Sequence, residues 1–285
     1  MHASPRRLPA RPDFKRMRHH APARERLDRE VFGRPPLAPW HASHAELLDG
    51  PQWPPVSELN ARLCGAAGVR FLAQTRALLA DGLHYEQRIA QCAVVATREA
   101  NWHDLFNALV WARYPALKRA LNARQMADIA RWGPRRRSRA QCALTHFDEA
   151  GVILLVRDPA LLARLDAHDW QGLFWRERAA WQDGRLQVEV FGHALLEHAL
   201  TPALHLVGKA LVVLDATAEP AMAAAACAQA IAAGRALQDP QDLRPLPLSG
   251  IPGWHADNAR EAFYRQAPCF RPLRPGRRYP PPIRL

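Results

Sequence analysis

Asn101-Trp102-His103-Asp104-Leu105-Phe106-Asn107-Ala108-Leu109-Val110-Trp111 opens the stretch that decides the fold, which continues through Tyr114-Pro115 to Leu121. Trp102, Leu105, Phe106, Leu109 and Ala112 recur at helical spacing, so the run reads as an amphipathic helix with one face on a core. Pro115 cannot continue the hydrogen-bond ladder and restricts Tyr114 before it, which predicts a break or kink at that point. The other face gathers His103, Asp104 and Asn107 within an arc of roughly 100°, with Trp111 and Tyr114 beside them. A solvated helix has no need of that mixture, whereas a pocket wall does. Asn101 followed three residues later by Asp104 also reads as an N-cap with an acidic first turn. Asn107 has no such role inside a helix, and it lies one turn after His103.

Working outward, Val56 to Ala80 reads as helical with interruptions near Gly65 and Gly68, and Asp81-Gly82 as a turn. Tyr85 to Ala96 alternates only in part and fits strand or helix. Downstream, Gly133-Pro134 ends a helix. Arg131, Arg135, Arg136, Arg137 and Arg139 then form a basic loop with no acid close in sequence, read as a solvated charge run. Gln141 to Val156 contains two short β-prone runs around Asp148-Glu149-Ala150-Gly151, which predicts a hairpin with Asp148 as turn chemistry. Helices are expected from Asp158-Pro159 onward, around Trp170 to Trp181 and from Gly192 to Leu200. Strands are expected at Leu186 to Phe191 and Lys209 to Leu214. The fold class is therefore α+β, a predominantly helical single domain with a small sheet that includes a hairpin near 141–156.

Length and a hydrophobic content of 48% over 285 residues suffice for a sizeable core. The five cysteines are scattered without C-x-x-C spacing, so neither a disulfide framework nor a thiolate zinc site is expected, and reduced thiols in a cytoplasm fit best. Pro5, Pro9 and Pro12 interrupt the N-terminus, which does not read as a signal peptide. The alanine-rich run Ala221 to Ala233 is too short and too weakly apolar to span a bilayer, so no membrane association is expected. The net charge of +12 is confined to the ends: residues 1–36 and 260–285 carry +6 each, leaving 37–259 electroneutral. These divide the chain into a basic, disordered arm (1–36), a globular domain (37–259) and a basic Pro/Arg-rich tail packed on or trailing from it (260–285). Only Lys15, Lys118 and Lys209 are lysines. Arginine usage of that kind, together with abundant alanine, suits a GC-rich genome and weakens the case for a nucleic-acid partner.

Three constellations carry the candidate chemistry. His103 can exchange a proton near neutral pH, with the Asp104 carboxylate and the Asn107 amide placed to hold a substrate oxygen. His146-Phe147-Asp148-Glu149 offers carboxylates as acid, base or metal ligand. Gly192-His193 begins a helix where glycine permits close backbone approach, and Glu197 follows His193 by one turn. His84, His103-Asp104 and Asp148 loosely echo the His, His-Asp and Asp pattern of metal phosphohydrolases, but Trp102 and Leu105-Phe106-Asn107 do not match its flanks. No phosphate-binding loop, nucleophile elbow or dinucleotide fingerprint is present. The residues expected to be catalytic are His103, Asp104, Asn107, Asp148 and His193, with no metal ligand assigned and the cofactor unspecified. The reading is a hydrolase or transferase acting on an unidentified small-molecule substrate. The alternative is a non-enzymatic protein whose basic termini contact nucleic acid or an acidic partner.

The eleven residues 101–111, with Tyr114-Pro115, Lys118, Leu121-Asn122 and Gln125, resemble the signature of a bacterial family catalogued as domain of unknown function 3025. The resemblance continues through Ala143-Leu-Thr-His-Phe-Asp-Glu149, Leu173-Phe-Trp175, Phe191-Gly-His-Ala-Leu-Leu-Glu197 and Gly208-Lys-Ala-Leu211. It extends to Gly250-Ile-Pro-Gly-Trp254, Phe263-Tyr264 and Phe270-Arg-Pro272. It implies one domain and a bacterial origin, and brings no activity, cofactor or catalytic residue with it. Gln91-Cys92-Ala93 and Val95-Ala96-Thr97 stand where relatives are expected to carry Gly and Pro.

Overall fold

The computed structural model describes residues 21–133 and 136–285. Two short 3-10 turns (Arg24–Arg26 and Arg29–Gly33) precede α1 (Ala38–Asp49), α2 (Val56–Ala67), β1 (Arg70–Ala73), α3 (Arg76–Leu79), α4 (Tyr85–Cys92) and β2 (Val94–Thr97). Then come α5 (Trp102–Arg113), α6 (Pro115–Trp132), α7 (Arg139–Ala150), β3 (Gly151–Val156), α8 (Pro159–Asp166), a π-helical turn (Gly172–Arg176) and α9 (Arg178–Gln182). The chain continues through β4 (Leu186–Val190), α10 (His193–Ala199), β5 (Val207–Leu214), α11 (Pro220–Ala232), β6 (Arg244–Pro247) and α12 (Phe263–Gln266). The α+β class with helices dominant is as the sequence reads.

The main sheet has the order β4-β3-β5-β6. Its centre is the run Gly-Val-Ile-Leu-Leu-Val of β3, buried at all six positions because helices and loops cover both faces. β3 runs parallel to β5, with β4 antiparallel on one side and β6 antiparallel to β5 on the other. β1 and β2 form a separate parallel pair. α11 lies against α6 and the sheet, while α5 packs between α2 and α10.

The expected hairpin at 141–156 is replaced by α7 running into β3. Ser138 caps α7 by accepting from Gln141 N at 3.0 Å, and the Gln141 side chain returns to Ser138 N at 2.9 Å. Gln141, Ala143, Leu144 and Phe147 are buried, a spacing of three and four that suits a helix and not an alternating strand. The partner of β3 is the distant β4, so pairing beyond the local window settled the element. Tyr85 to Ala96 resolves into both options, helix α4 and then strand β2. The break at Tyr114-Pro115 falls where expected, with Tyr114 ending α5 at φ −128°, ψ 53° and Pro115 in the first turn of α6.

The arm expected to be disordered as far as residue 36 is docked from Arg24 onward. Val31 and Phe32 are buried, and Arg24, 1% exposed, reaches Leu47 O at 2.9 Å and Gly50 O at 3.0 Å. Apolar residues and one well-placed guanidinium suffice to fix a segment that lacks periodicity. The earlier part of that arm, residues 1–20, lies outside the described residues. The tail is packed on the body: Ile283 bridges in parallel to Val213, and Tyr264 is buried in the core. In the basic loop, Arg131 and Arg136 stack on Trp132, and Arg139 pairs with the distant acid Asp239. Arg135 is outside the described residues.

Candidate functional site

Five helices meet around a polar cavity of about 380 Å³, a size in the range of small-molecule sites. α4 supplies Tyr85 and Glu86; α5 supplies His103, Asp104, Asn107 and Trp111. α6 adds Lys118 and Asn122, α7 adds Asp148 and Glu149, and α10 begins with His193. All five residues expected to be catalytic therefore line one cavity, although their sequence positions span ninety residues.

Local sequence explains how they arrive there. Asn101 caps α5 by accepting from Asp104 N at 3.0 Å, and the packing of α5 between α2 and α10 leaves His103 and Asn107, one turn apart, lining the cavity. A glycine at the start of α10 lets α7 and α10 meet. Gly192 N donates to Gly151 O at 2.8 Å. A Cβ on Gly192 would stand 2.5 Å from Ala150 Cα, and one on Gly151 would stand 2.2 Å from Phe147 O. The missing side chain of Gly192 lets the end of α7, with Asp148 and Glu149, touch the start of α10, with His193, while Gly151 makes room for Phe147 in the last turn of α7.

The centre of the cavity is a histidine pair. His103 Nε2 and His193 Nε2 are 3.0 Å apart, with ring planes at 77°. Glu149 Oε2 stands 3.8 Å from the first nitrogen and 3.6 Å from the second. On its far side His103 Nδ1 meets Glu197 Oε2 at 3.2 Å. Burial works against charge on His103, but the Glu197 hydrogen bond and the Glu149 carboxylate outweigh it and raise its pKa. His193, 4% exposed, is driven the other way: burial pushes it down to about 3, so it stays neutral. Burial likewise raises the Glu149 carboxyl above the ordinary carboxylate range. His103, His193 and Glu149 are the residues among those described that could hold a metal ion.

Beside this centre lies a buried cation. Lys118 Nζ donates to Asp148 Oδ1 at 2.6 Å and to Asn107 Oδ1 at 2.9 Å, while Asn107 Nδ2 donates to Tyr85 OH at 3.1 Å. Burial alone would raise the Asp148 carboxyl, but Lys118 holds it below its usual range. Asn122 donates to Glu86 Oε2 at 2.7 Å, and burial raises the Glu86 carboxyl. Asp104 is already engaged, accepting from Arg98 N at 2.6 Å and from Arg98 Nη2 at 2.6 Å. It fixes the cavity rim and does not face the histidine pair with a free oxygen.

Glu149 and Glu197 stood in the candidate constellations but not among the residues expected to be catalytic, and Lys118 and Tyr85 stood in neither. Signals existed for three of them. Glu149 adjoins Asp148, Glu197 follows His193 by one helical turn, and Lys118 is a rare lysine in an arginine-biased chain. Tyr85 carried none, because its element was ambiguous. His84 serves as the N-cap of α4, and His146 lies on an exposed position of α7.

Among the described residues no helix is long and apolar enough to cross a membrane, and all five cysteines are free thiols. No curated protein and no solved structure matches the chain. One family model does match, over residues 69–274, a span that contains α4 to α7, β3, α10 and hence every residue of the cavity. The chain belongs to that family, described as a protein of unknown function (DUF3025).

Proposed function

We propose that the chain is an enzyme of hydrolase or transferase type, acting on a small-molecule substrate in the cavity bounded by α4, α5, α6, α7 and α10. One observation carries the reading: two histidine Nε2 atoms from separate helices meet at 3.0 Å beside the Asp148 and Glu149 carboxylates. A core gains little stability from gathering so many ionisable groups, since each loses hydration that partners only partly restore. Their grouping suits hydrolysis or group transfer, which needs a base for the incoming nucleophile, an acid for the leaving group and support for developing negative charge. The histidine pair and Glu149 lie where proton transfer would occur. Lys118, held between Asp148 and Asn107, is a cation that a developing oxyanion can approach.

The test is a panel of chromogenic phosphate, carboxylate, amide and glycoside esters and analogues assayed with the wild-type chain, His103→Ala and Asp148→Asn. At least one class should be turned over, with a loss of about a hundredfold or more in kcat/KM in each variant. Equal rates for wild type and both variants on every class would refute the assignment.

A further inference from the structure

We propose that His103, His193 and Glu149 form a mononuclear site for a divalent transition-metal ion, zinc by its geometry. This deepens the preceding reading and rests on it for one point, that the cavity is where chemistry takes place; ion binding itself is measured without any activity.

The three donor atoms define a triangle with sides of 3.0, 3.6 and 3.8 Å. The point equidistant from its corners lies about 2.0 Å from each atom, within the range of zinc bonds to imidazole nitrogen and carboxylate oxygen. An ion displaced slightly from the plane, with bonds of about 2.1 Å, makes an N–metal–N angle near 90° and two N–metal–O angles of about 120–130°. The wide pair resembles a distorted tetrahedron with its fourth position vacant more than one face of an octahedron, whose angles are all 90°. Two histidines and a carboxylate with one open position are one of the donor sets of catalytic zinc sites.

A proton shared between the two imidazoles accounts for only one side of this triangle. It explains the 3.0 Å contact, but it leaves Glu149 Oε2 beyond hydrogen-bond distance of both nitrogens while still forming the third corner. The rings are nearly perpendicular and do not stack. His103 also has the support expected of a ligand. Glu197 accepts at His103 Nδ1, which directs the Nε2 lone pair inward, the carboxylate–histidine arrangement that orients metal ligands. His193 is fixed at the first turn of α10 and buried, and Glu149 keeps 41% of its side-chain surface in solvent, so the centre opens toward the cavity. An ion there would take a water molecule at its open position and lower that water's pKa, supplying the nucleophile for hydrolysis. Lys118 and Asp148, outside the triangle, remain as proton-handling and charge-stabilising neighbours.

The full-length chain, purified without chelators, is analysed for bound metals, then stripped and titrated with Zn²⁺ alone and with Co²⁺ alone. Wild type should contain or take up one equivalent and give a Co²⁺ visible absorption spectrum of four- or five-coordinate intensity. His103→Ala and Glu149→Gln, which alter partly exposed side chains, should weaken Zn²⁺ binding by about a hundredfold or more while circular dichroism stays native. Glu197→Gln should weaken it by about 10–100-fold. His146→Ala, on the same helix as Glu149 but outside the cavity, should bind as wild type. Zn²⁺ affinity and Co²⁺ spectrum unchanged in folded His103→Ala and Glu149→Gln would overturn the site. One equivalent bound by wild type and lost in those variants upholds the site even when no ester class is turned over, an outcome that counts against the catalytic reading alone. Turnover by a wild-type chain that binds no Zn²⁺ would do the opposite, overturning the metal site while upholding the catalytic reading.

Discussion

At the residue scale, Lys118 shows how a rare residue type acquires a fixed place. Its Nζ reaches Asp148 and Asn107 together from a side chain that is 4% exposed. Arginine would present a broad planar fork where only a point charge fits between a carboxylate and an amide on neighbouring helices. Replacing it by methionine keeps most of the volume and leaves the Asp148 carboxylate and the Asn107 carbonyl without their donor. Lys118→Met should therefore cost about 3 kcal/mol, the low end for breaking a buried pair because Asp148 retains some solvent contact. Urea unfolding with an unchanged m value is the appropriate measurement, and a cost below about 1 kcal/mol would show that the pair is solvated.

At the element scale, the approach of α7 to α10 decides whether the candidate residues meet in one cavity. α7 is capped by Ser138 and α10 begins uncapped at Gly192, and the Gly151–Gly192 contact sets their separation. Gly192→Ala drives a Cβ into backbone atoms of Ala150 and Gly151, which cannot move aside as a flexible side chain would. The expected cost is about 1–3 kcal/mol, accompanied by a shift of Glu149 away from His193. Thermal melting reports the first effect. Weaker Zn²⁺ uptake in the still-folded variant reports the second, and a wild-type melt with wild-type uptake would show that the contact is slack. The hairpin expectation failed at this same junction. Residues 141–150 carry β-prone types, yet their burial repeats every three to four residues, and the Ser138 capping box starts a helix there. Propensity was overruled by a cap and by the packing of α7 on α6 and α10.

At the scale of the whole molecule, one hydrophobic core extends from Leu27 to Tyr264, so segments that read as basic extensions share the body's packing. The end of the chain adds a bridge to β5: Ile283 N donates to Val212 O, and Leu214 N donates to Ile283 O, each at 2.9 Å. Buried Arg244 donates to Pro280 O at 2.7 Å, and His168 Nε2 meets Tyr279 OH at 2.8 Å. Deleting residues 272–285 should therefore destabilise the fold by about 2–4 kcal/mol, near 1 kcal/mol for each lost hydrogen bond. That corresponds to a fall in Tm of roughly 5–10 °C. The fall should be similar at low and high salt, since the lost contacts are mainly uncharged. A Tm that does not move would mean that the tail contributes charge and nothing else.

Local sequence was enough for the α+β class, the Asn101-capped helix, its break at Pro115 and the strands β3, β4 and β5. Those features are written in short-range patterns: a cap, a proline, a period of 3.6, a run of β-branched and aliphatic side chains. Tertiary structure alone decided that α7 is a helix, that Arg24 to Phe32 is docked, and that Glu149, Glu197, Lys118 and Tyr85 join the expected residues around one cavity. These depend on contacts between positions far apart in the chain, as with the histidines at 103 and 193, whose Nε2 atoms stand 3.0 Å apart. Periodicity tells which way a side chain points from its own helix. Which other side chain it meets is fixed only when packing, helped by the missing side chain of Gly192, brings the helices together.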